Sequence, residues 1–279
     1  MLKLSIITVN YNNLSGLRNT VDSVMSQTWR GFEWIFIDGG SNDGSKEYIE
    51  SIAVKPEANV SYWCSESDKG VYNAMNKGIA RSRGLYLNFM NSGDVFYECK
   101  TLEKWKDKKL EGDIVYGDWI RRYGDHDESV KPITDGLNTL IYFANICHQA
   151  MFIKKEKMID GYDEKYKIFS DWRKWQELAC TGVSFQYIPQ TICIFEAESG
   201  LSEKGRWISS VNEQLAILDD LPHELKQHIL CVRHWGQYQK YEVLERIFRL
   251  IDNRPIVEAF FSIITVPLEI LVLIKKKIK

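Results

Sequence analysis

The turn Asn91-Ser92-Gly93-Asp94 ends in a carboxylate, and a carboxylate so placed can hold a divalent cation. Mg2+ and Mn2+ favour oxygen ligands, and magnesium sites commonly combine one or two carboxylates with substrate phosphates. A metal there neutralises charge on a departing diphosphate. The same four residues also read as a plain Asn/Gly turn. Asp38 ends an apolar run, Phe32 to Ile37, and precedes Gly39-Gly40-Ser41-Asn42-Asp43-Gly44-Ser45. Its carboxylate can accept a hydrogen bond from a base N–H or brace the Gly39-Gly40 turn, and spacing does not choose between them. Asp43 reads as an Asx-type turn residue, with Ser45 capping the next helix.

Asp68-Lys69-Gly70 opens a helical pattern, so Asp68 can cap it. Asn73, Asn76 and Lys77 fall on one face of that helix, a face either solvated or functional. After the first apolar run, Thr8, Asn10 and Tyr11 offer hydrogen bonds suited to a nucleoside's base and ribose, or simply make a turn. A dinucleotide fold would need Gly-x-Gly-x-x-Gly here, and a P-loop Gly-x4-Gly-Lys-Ser/Thr. Neither is present. In Ser170-Asp171-Trp172, Ser170 suits an N-cap, and an acidic residue in the first turn gains only about 0.3–1 kcal/mol from the helix dipole.

The elements that must position these groups alternate. Leu2 to Val9, Phe32 to Ile37, Val60 to Cys64 and Leu85 to Met90 are apolar, β-branched-rich runs of the kind buried on both faces of a parallel sheet. Leu14, Leu17, Val21, Val24 and Met25 recur at helical spacing, and Val71 to Ala80 reads as a helix. Such alternation predicts βαβ units, with ligands outside the carboxyl ends of the strands. Beyond Asp94 the pattern weakens: strands at Asp113 to Asp118, Gln149 to Ile153 and Phe185 to Phe195, a charged loop at Tyr123 to Glu128, and a helix from Asp171 to Cys180. From Trp207 onward the pattern is helical.

With 279 residues, 44% of them apolar and 27% charged, the chain can bury a substantial core. A net charge of −2 without a basic stripe in the first two hundred residues disfavours nucleic acid as a partner. Six scattered cysteines without a Cys-x-x-Cys pair argue against a zinc knuckle or disulfide framework and fit a reducing, cytoplasmic setting. No signal peptide is read at the start. Between Arg254 and Lys275, Glu258, Ser262, Thr265 and Glu269 make one narrow polar stripe on an apolar helix, followed by Lys275, Lys276, Lys277 and Lys279. Spanning a bilayer would bury an acidic residue at roughly 2–3 kcal/mol. An in-plane helix over about 255–279 leaves the lysines for anionic headgroups, which predicts a peripheral protein. Packing of that helix on the protein itself is the plainer alternative.

The segments S-I-I-T-V-N-Y-N, F-E-W-I-F-I-D-G-G-S-N-D-G-S, D-K-G-V-Y-N-A-M-N-K-G-I-A, N-S-G-D-V-F, H-Q-A-M-F-I and S-D-W, in that order over residues 1–205, resemble family 2 glycosyltransferases, most closely the bacterial exopolysaccharide, colanic-acid-type branch. The resemblance implies the α/β GT-A nucleotide-diphospho-sugar transferase fold. It divides the domain into a nucleotide-binding half (about 1–97) and an acceptor-binding half (about 98–205), with 206–279 as a helical extension. It implies inverting transfer from a nucleotide-sugar donor, UDP-sugar favoured, to a saccharide acceptor in surface polysaccharide synthesis. The tail adds the suggestion that the acceptor is polyprenyl-diphosphate-linked.

By that resemblance Thr8, Asn10, Tyr11, Asp38, Asp68 and Lys77 serve the nucleotide. Asp94 holds Mg2+ or Mn2+, although Asn91 and Gly93 replace carboxylates that the family often carries. Asp171 is the base that deprotonates the acceptor hydroxyl. Asn91, His148, Gln149 and Trp172 line the sugar and acceptor pocket. Gly200, Ser202 and Arg206 belong to a loop over the diphosphate that keeps water from the donor. A sugar-nucleotide pyrophosphorylase would need a Gly-rich basic loop after the first strand. A catalytically idle, membrane-recruited scaffold is the other alternative.

Overall fold

The computed structural model describes residues 2–132 and 146–197, with Glu213, Ala216, Ile217 and Asp220. Gly200, Ser202, Arg206 and the helix expected over 255–279 lie outside the described residues. The chain falls into two compact units, Met1–Leu221 and Pro222–Lys279, and every described residue belongs to the first.

Four parallel strands form the amino-terminal half of one sheet: β1 (Leu4–Asn10), β2 (Phe32–Asp38), β3 (Val60–Ser65) and β4 (Tyr86–Phe89). Every residue of β1 and β2 is buried, which explains why their sequences are continuous apolar runs rather than alternating ones. The period of two decides which layer each side chain joins. Leu4, Ile6, Phe32, Trp34 and Phe36 pack on one side, while Ile7, Val9, Ile35 and Ile37 pack on the other. Each fully buried aliphatic side chain contributes roughly 1.5–3 kcal/mol.

Helices α1 (Leu14–Met25), α2 (Ser45–Ala53) and α4 (Thr101–Lys106) turn buried residues to the first layer, while α3 (Val71–Arg81) and α5 (Ser170–Cys180) cover the second. α3 sits close on the sheet through Tyr72, Met75, Gly78 and Ile79. A Cβ at Gly78 would stand 2.4 Å from Ile7 Cγ2, so only glycine admits this approach.

The carboxyl half is mixed. β8 (Met151–Lys154) runs antiparallel to β4, β6 (Ile114–Tyr123) antiparallel to β8, and β9 (Phe185–Glu196) parallel to β6. The short β5 (Val95–Phe96) pairs antiparallel with β9, giving the order β3-β2-β1-β4-β8-β6-β9-β5.

Three sequence expectations are corrected. The charged stretch expected as a loop contains strand β7 (His126–Val130), which pairs with β6 across a two-residue turn at Gly124-Asp125. Four of its five residues are exposed, so no apolar alternation marks it; the Arg122 guanidinium forks onto Asp127 at 2.8 and 2.7 Å instead. Ser45 does not cap α2: the cap position is Gly44, and Asp43 accepts from the Ser45 and Leu14 amides. Ser170 is the first residue of α5 rather than its cap, and its hydroxyl donates to the Asp163 carbonyl.

Candidate active site

The carboxyl ends of β1, β2 and β4 lie side by side, since Asn10 pairs with Asp38 and Ile7 with Phe89. Asp38 is 0% exposed, and hydrogen bonds fill its carboxylate. Oδ1 accepts from Asn10 Nδ2 (2.7 Å) and Ser41 Oγ (2.6 Å), and Oδ2 from the Ser41 amide (2.9 Å) and Ser65 Oγ (2.6 Å). Burial alone would raise its pKa, but the bonds from Ser41, Ser65 and Asn10 prevail and hold it below the ordinary value. Of the two uses that spacing left open, this geometry matches the brace. Thr8, also 0% exposed, accepts from the Trp34 indole at 2.9 Å and so faces the core. Asn10 keeps one buried oxygen, Oδ1, without a partner.

Tyr11 is 67% exposed at the tip of the loop after β1. A Cβ built at Gly39 would meet Tyr11 Cδ2 at 3.1 Å and Asp68 Oδ2 at 3.3 Å, so the three residues border one small space. Asp68 Oδ1 takes the Lys77 ammonium at 2.5 Å, and Oδ2 is buried with no partner. Burial, the largest influence, raises the pKa of Asp68. Lys77 also reaches Glu66 at 2.7 Å; the two carboxylates outweigh its desolvation and raise its pKa. Asp68 does not cap α3, whose cap position is Gly70.

The Asn91–Asp94 turn is held from α1. Thr20 Oγ1 accepts from the Gly93 amide (3.0 Å) and donates to the Asp94 carbonyl (2.8 Å). Gly93 has φ +109°, in the region that favours glycine. Asp94 points inward: it is 4% exposed, with Oδ2 accepting from Gln149 Nε2 at 2.6 Å and Oδ1 from the Glu196 amide at 3.0 Å. Burial pushes its pKa up to about 6. The described residues contain no group of three His, Cys, Asp or Glu able to hold a metal ion. Both oxygens of the inward Asp94 carboxylate are engaged, one of them by the Glu196 amide, and the Glu196 charge beside it raises its pKa further. A magnesium-type site shared with substrate phosphates needs only one or two carboxylates, and Asp94 is the one the Asn91–Asp94 turn supplies.

His148 and Asp171 form the second cluster. His148 Nδ1 lies 3.0 Å from Asp171 Oδ2, and its Nε2 lies 3.0 Å from Asn91 Nδ2. Asp171 Oδ1 takes the Trp172 amide at 2.8 Å and lies 3.0 Å from the Tyr72 hydroxyl. Both members of the pair are partly open, with side chains 15% and 20% exposed. Burial lowers the His148 pKa, but Asp171 outweighs it and the net shift is upward. Trp172 is 2% exposed and packs edge-on against Phe169, so it supports this cluster rather than presenting a face to solvent.

On the polar face of α3, Lys77 turns to Asp68, whereas Asn73 and Asn76 turn to the segment leading into α5. Asn73 and Asn76 donate to Glu164 at 3.0 Å, and Asn76 also exchanges bonds with the Tyr162 backbone. These bonds fasten the segment leading into α5. A further anchor comes from Glu213, whose carboxylate accepts from the amides of Lys167, Ile168 and Phe169 at 2.6–2.8 Å. Sequence reading gave no role to Tyr72, Glu164 or Glu213. The sequence offers no signal for Glu213; Tyr72 stands inside a motif but at a core-facing position.

A cavity of about 460 Å3 lined by Lys3, Tyr86, Lys108 and Lys154 lies at the opposite, amino ends of β1 and β4. Its Lys154 is paired with Asp113 and Lys3 donates to the Lys106 carbonyl, so no converging free groups mark it as the reactive site.

Residues 5–169 match the family model described as glycosyl transferase family 2. A PGL/p-HBAD biosynthesis glycosyltransferase of Mycobacterium bovis is 31% identical over 179 residues, covering 60% of this chain and 66% of that protein. An uncharacterised glycosyltransferase of Mycobacterium tuberculosis is 35% identical over 176 residues, covering 60% and 65%. The matched part thus spans just under two thirds of either relative. Among solved structures, Staphylococcus aureus TarS 1-349 in complex with UDP-GlcNAc superposes with a TM-score of 0.64 at 14% identity, over 82% of this chain and 70% of that one. A Pyrobaculum calidifontis mannosyltransferase in complex with GDP-Man and Mn2+ gives 0.61 at 13% identity, over 96% and 81%. These structures share the fold of the described sheet, GT-A, and the family match runs from β1 to the threshold of α5, two residues short of Asp171. The chain belongs to glycosyltransferase family 2.

Proposed function

We propose that the protein is an inverting glycosyltransferase that moves a sugar from a nucleotide-diphosphate donor, with UDP-sugar favoured, to a saccharide acceptor. One observation carries the reading. A single helix, α3, touches the nucleotide-side carboxylate Asp68 through Lys77 and, through Tyr72, the partly open carboxylate Asp171. Five residues at about 1.5 Å each separate the two contacts along the helix. The donor's base lies on the exposed Tyr11 ring, in the space beside Gly39, where no Cβ obstructs it. Asn10 Oδ1 and Asp68 Oδ2, buried acceptors without partners, supply hydrogen bonds to base or ribose donors. The solved relatives bound to UDP-GlcNAc and GDP-Man support a nucleotide-sugar donor.

Asp171 takes the proton of the acceptor hydroxyl as that oxygen bonds to the anomeric carbon. The bond from this carbon to the diphosphate oxygen breaks, and its electron pair leaves with the nucleoside diphosphate. A single displacement of this kind inverts the anomeric centre. His148 holds Asp171 Oδ2 in place, and the Asn91 amide holds His148. A divalent cation held by Asp94 together with the donor's phosphates would neutralise charge on the departing diphosphate, a reading that the mannosyltransferase in complex with GDP-Man and Mn2+ supports. The amphipathic, lysine-ended sequence pattern over 255–279 supports action at the cytoplasmic face of a membrane on a polyprenyl-diphosphate-linked saccharide of a surface polysaccharide.

Calorimetric titration of UDP, GDP and dTDP, each with and without Mn2+, tests the donor site. Binding of one of them by the wild type, weakened roughly 10- to 100-fold in Tyr11→Ala, is the expected result, since a stacked base contributes about 1–3 kcal/mol. No binding by a folded sample would favour the idle scaffold, a reading to which the single carboxylate of the Asn91-Ser92-Gly93-Asp94 turn lends its support.

A further inference from the structure

The Tyr72 hydroxyl faces two acceptors and has one proton. It lies 2.6 Å from the Ile168 carbonyl and 3.0 Å from Asp171 Oδ1. The residue is 4% exposed, and its ring is fixed against Tyr162 at 5.3 Å between centroids. Ring and oxygen are therefore held still, and only the hydroxyl proton is free to turn. Burial, reinforced by the Asp171 charge, raises the phenol pKa well above its usual value, so the group stays protonated at working pH.

We propose that Tyr72 is a positioning residue whose hydroxyl serves both charge states of Asp171. When Asp171 is ionised, the hydroxyl turns toward it and donates to Oδ1. When Asp171 carries the acceptor's proton, the hydroxyl turns to the Ile168 carbonyl and its oxygen accepts from the protonated carboxyl. No heavy atom has to move between the two arrangements, so the base is held in the same place before and after it takes the proton. This rests on Asp171 being the base.

Other groups surround Asp171. His148 stands on Oδ2, with Asp94 acting on His148 in turn, and the buried Tyr162 phenol is affected by the Asp171 charge. None of them presents a second hydroxyl to Oδ1. Tyr72 comes from α3, which also carries Lys77 against Asp68, so the base is referenced to the element that frames the donor side.

Nucleotide-release kinetics of the full chain with UDP-sugars test the proposal. Tyr72→Phe keeps the ring and its packing but removes the hydroxyl that meets Asp171 in both states. The expected result is a kcat lowered roughly 10-fold with KM for the UDP-sugar unchanged, the loss of about one hydrogen bond at the base. Replacement of Tyr72 by 3-fluorotyrosine, which donates more strongly and accepts more weakly, lowers kcat severalfold and does not depend on the phenylalanine variant folding. A purely structural tyrosine would leave kcat in place in both folded proteins, and that result overturns the proposal. The base assignment is separable: nucleotide release that persists in Asp171→Asn defeats that assignment, whereas loss there with an unchanged kcat in the Tyr72 variants defeats only the present inference.

Discussion

His148 Nδ1 lies 3.0 Å from Asp171 Oδ2, while the opposite ring nitrogen meets the side-chain amide of Asn91. With Asn91 Nδ2 donating to Nε2, the imidazole is neutral and its Nδ1–H donates to Asp171. Asn91 Oδ1 is buried without a partner, and turning that amide over presents the oxygen to a protonated Nε2. One site thus accommodates both charge states of the ring.

The pair has a defined pH signature. His148 has a folded pKa raised above its unfolded value, because the Asp171 charge outweighs desolvation. Its stabilisation is complete below about 6.5 and is lost as pH rises through the folded pKa. Urea unfolding of wild type and His148→Gln should therefore differ most in mildly acidic solution and converge as pH rises above that range. A difference that grows with pH would show that the ring does not gain charge stabilisation from Asp171.

Asp94 shows the reverse of the usual carboxylate behaviour. Burial raises its folded pKa to about 6, so the folded state binds a proton more tightly than the unfolded one. On its account stability is greatest below about 4, falls between about 4 and 6, and is flat above, by a few kcal/mol at most. The stability of Asp94→Asn relative to wild type should rise across this window. Mn2+ should leave the wild-type melting temperature unchanged without nucleotide, because a site of this kind takes substrate phosphates as ligands; a metal-dependent rise abolished in Asp94→Asn would show that Asp94 holds a cation without them.

Asp38 accepts from Asn10, Ser41 and Ser65, and its folded pKa is depressed because these bonds outweigh desolvation. Its stabilisation is present above the unfolded value of about 3.9 and is lost as pH falls through the folded pKa. Asp38→Ala should cost about 3 kcal/mol at pH 7 by leaving several buried donors without an acceptor. The urea midpoint measures this, and an unchanged midpoint would refute the bracing role.

Glu213 takes three successive amides just before α5. Glu213→Ala should lower stability by about 1–3 kcal/mol and increase hydrogen exchange at residues 167–169. Because α5 carries Asp171, kcat should fall more than donor affinity. Unchanged exchange at these amides would show that the carboxylate does not hold them.

The amino-terminal half of the fold is legible because β1 and β2 are buried on both faces, leaving continuous apolar runs with polar residues at their carboxyl ends. The β6–β7 hairpin is not, since neither face of His126–Val130 is buried and its pairing rests on backbone bonds and charged pairs. Among the site candidates, Tyr11, Asp68, His148 and Asp171 stand at positions open to chemistry or beside an unpartnered atom. Asp38 and Thr8 do not, because their partners Ser65 and Trp34 lie 27 and 26 residues away and no local pattern announces them. Tyr72 reads as a core residue for the same reason: its hydroxyl partner is 99 residues distant.

Nucleotide release from UDP-sugars by the full chain, with membrane lipid extract as the source of acceptor, tests the central claim most directly when wild type is compared with Asp171→Asn. The account predicts release in the wild type and a loss of about 10²- to 10⁴-fold in the variant, the range expected for removing a general base, with nucleotide affinity retained. Equal rates in the two proteins would contradict it.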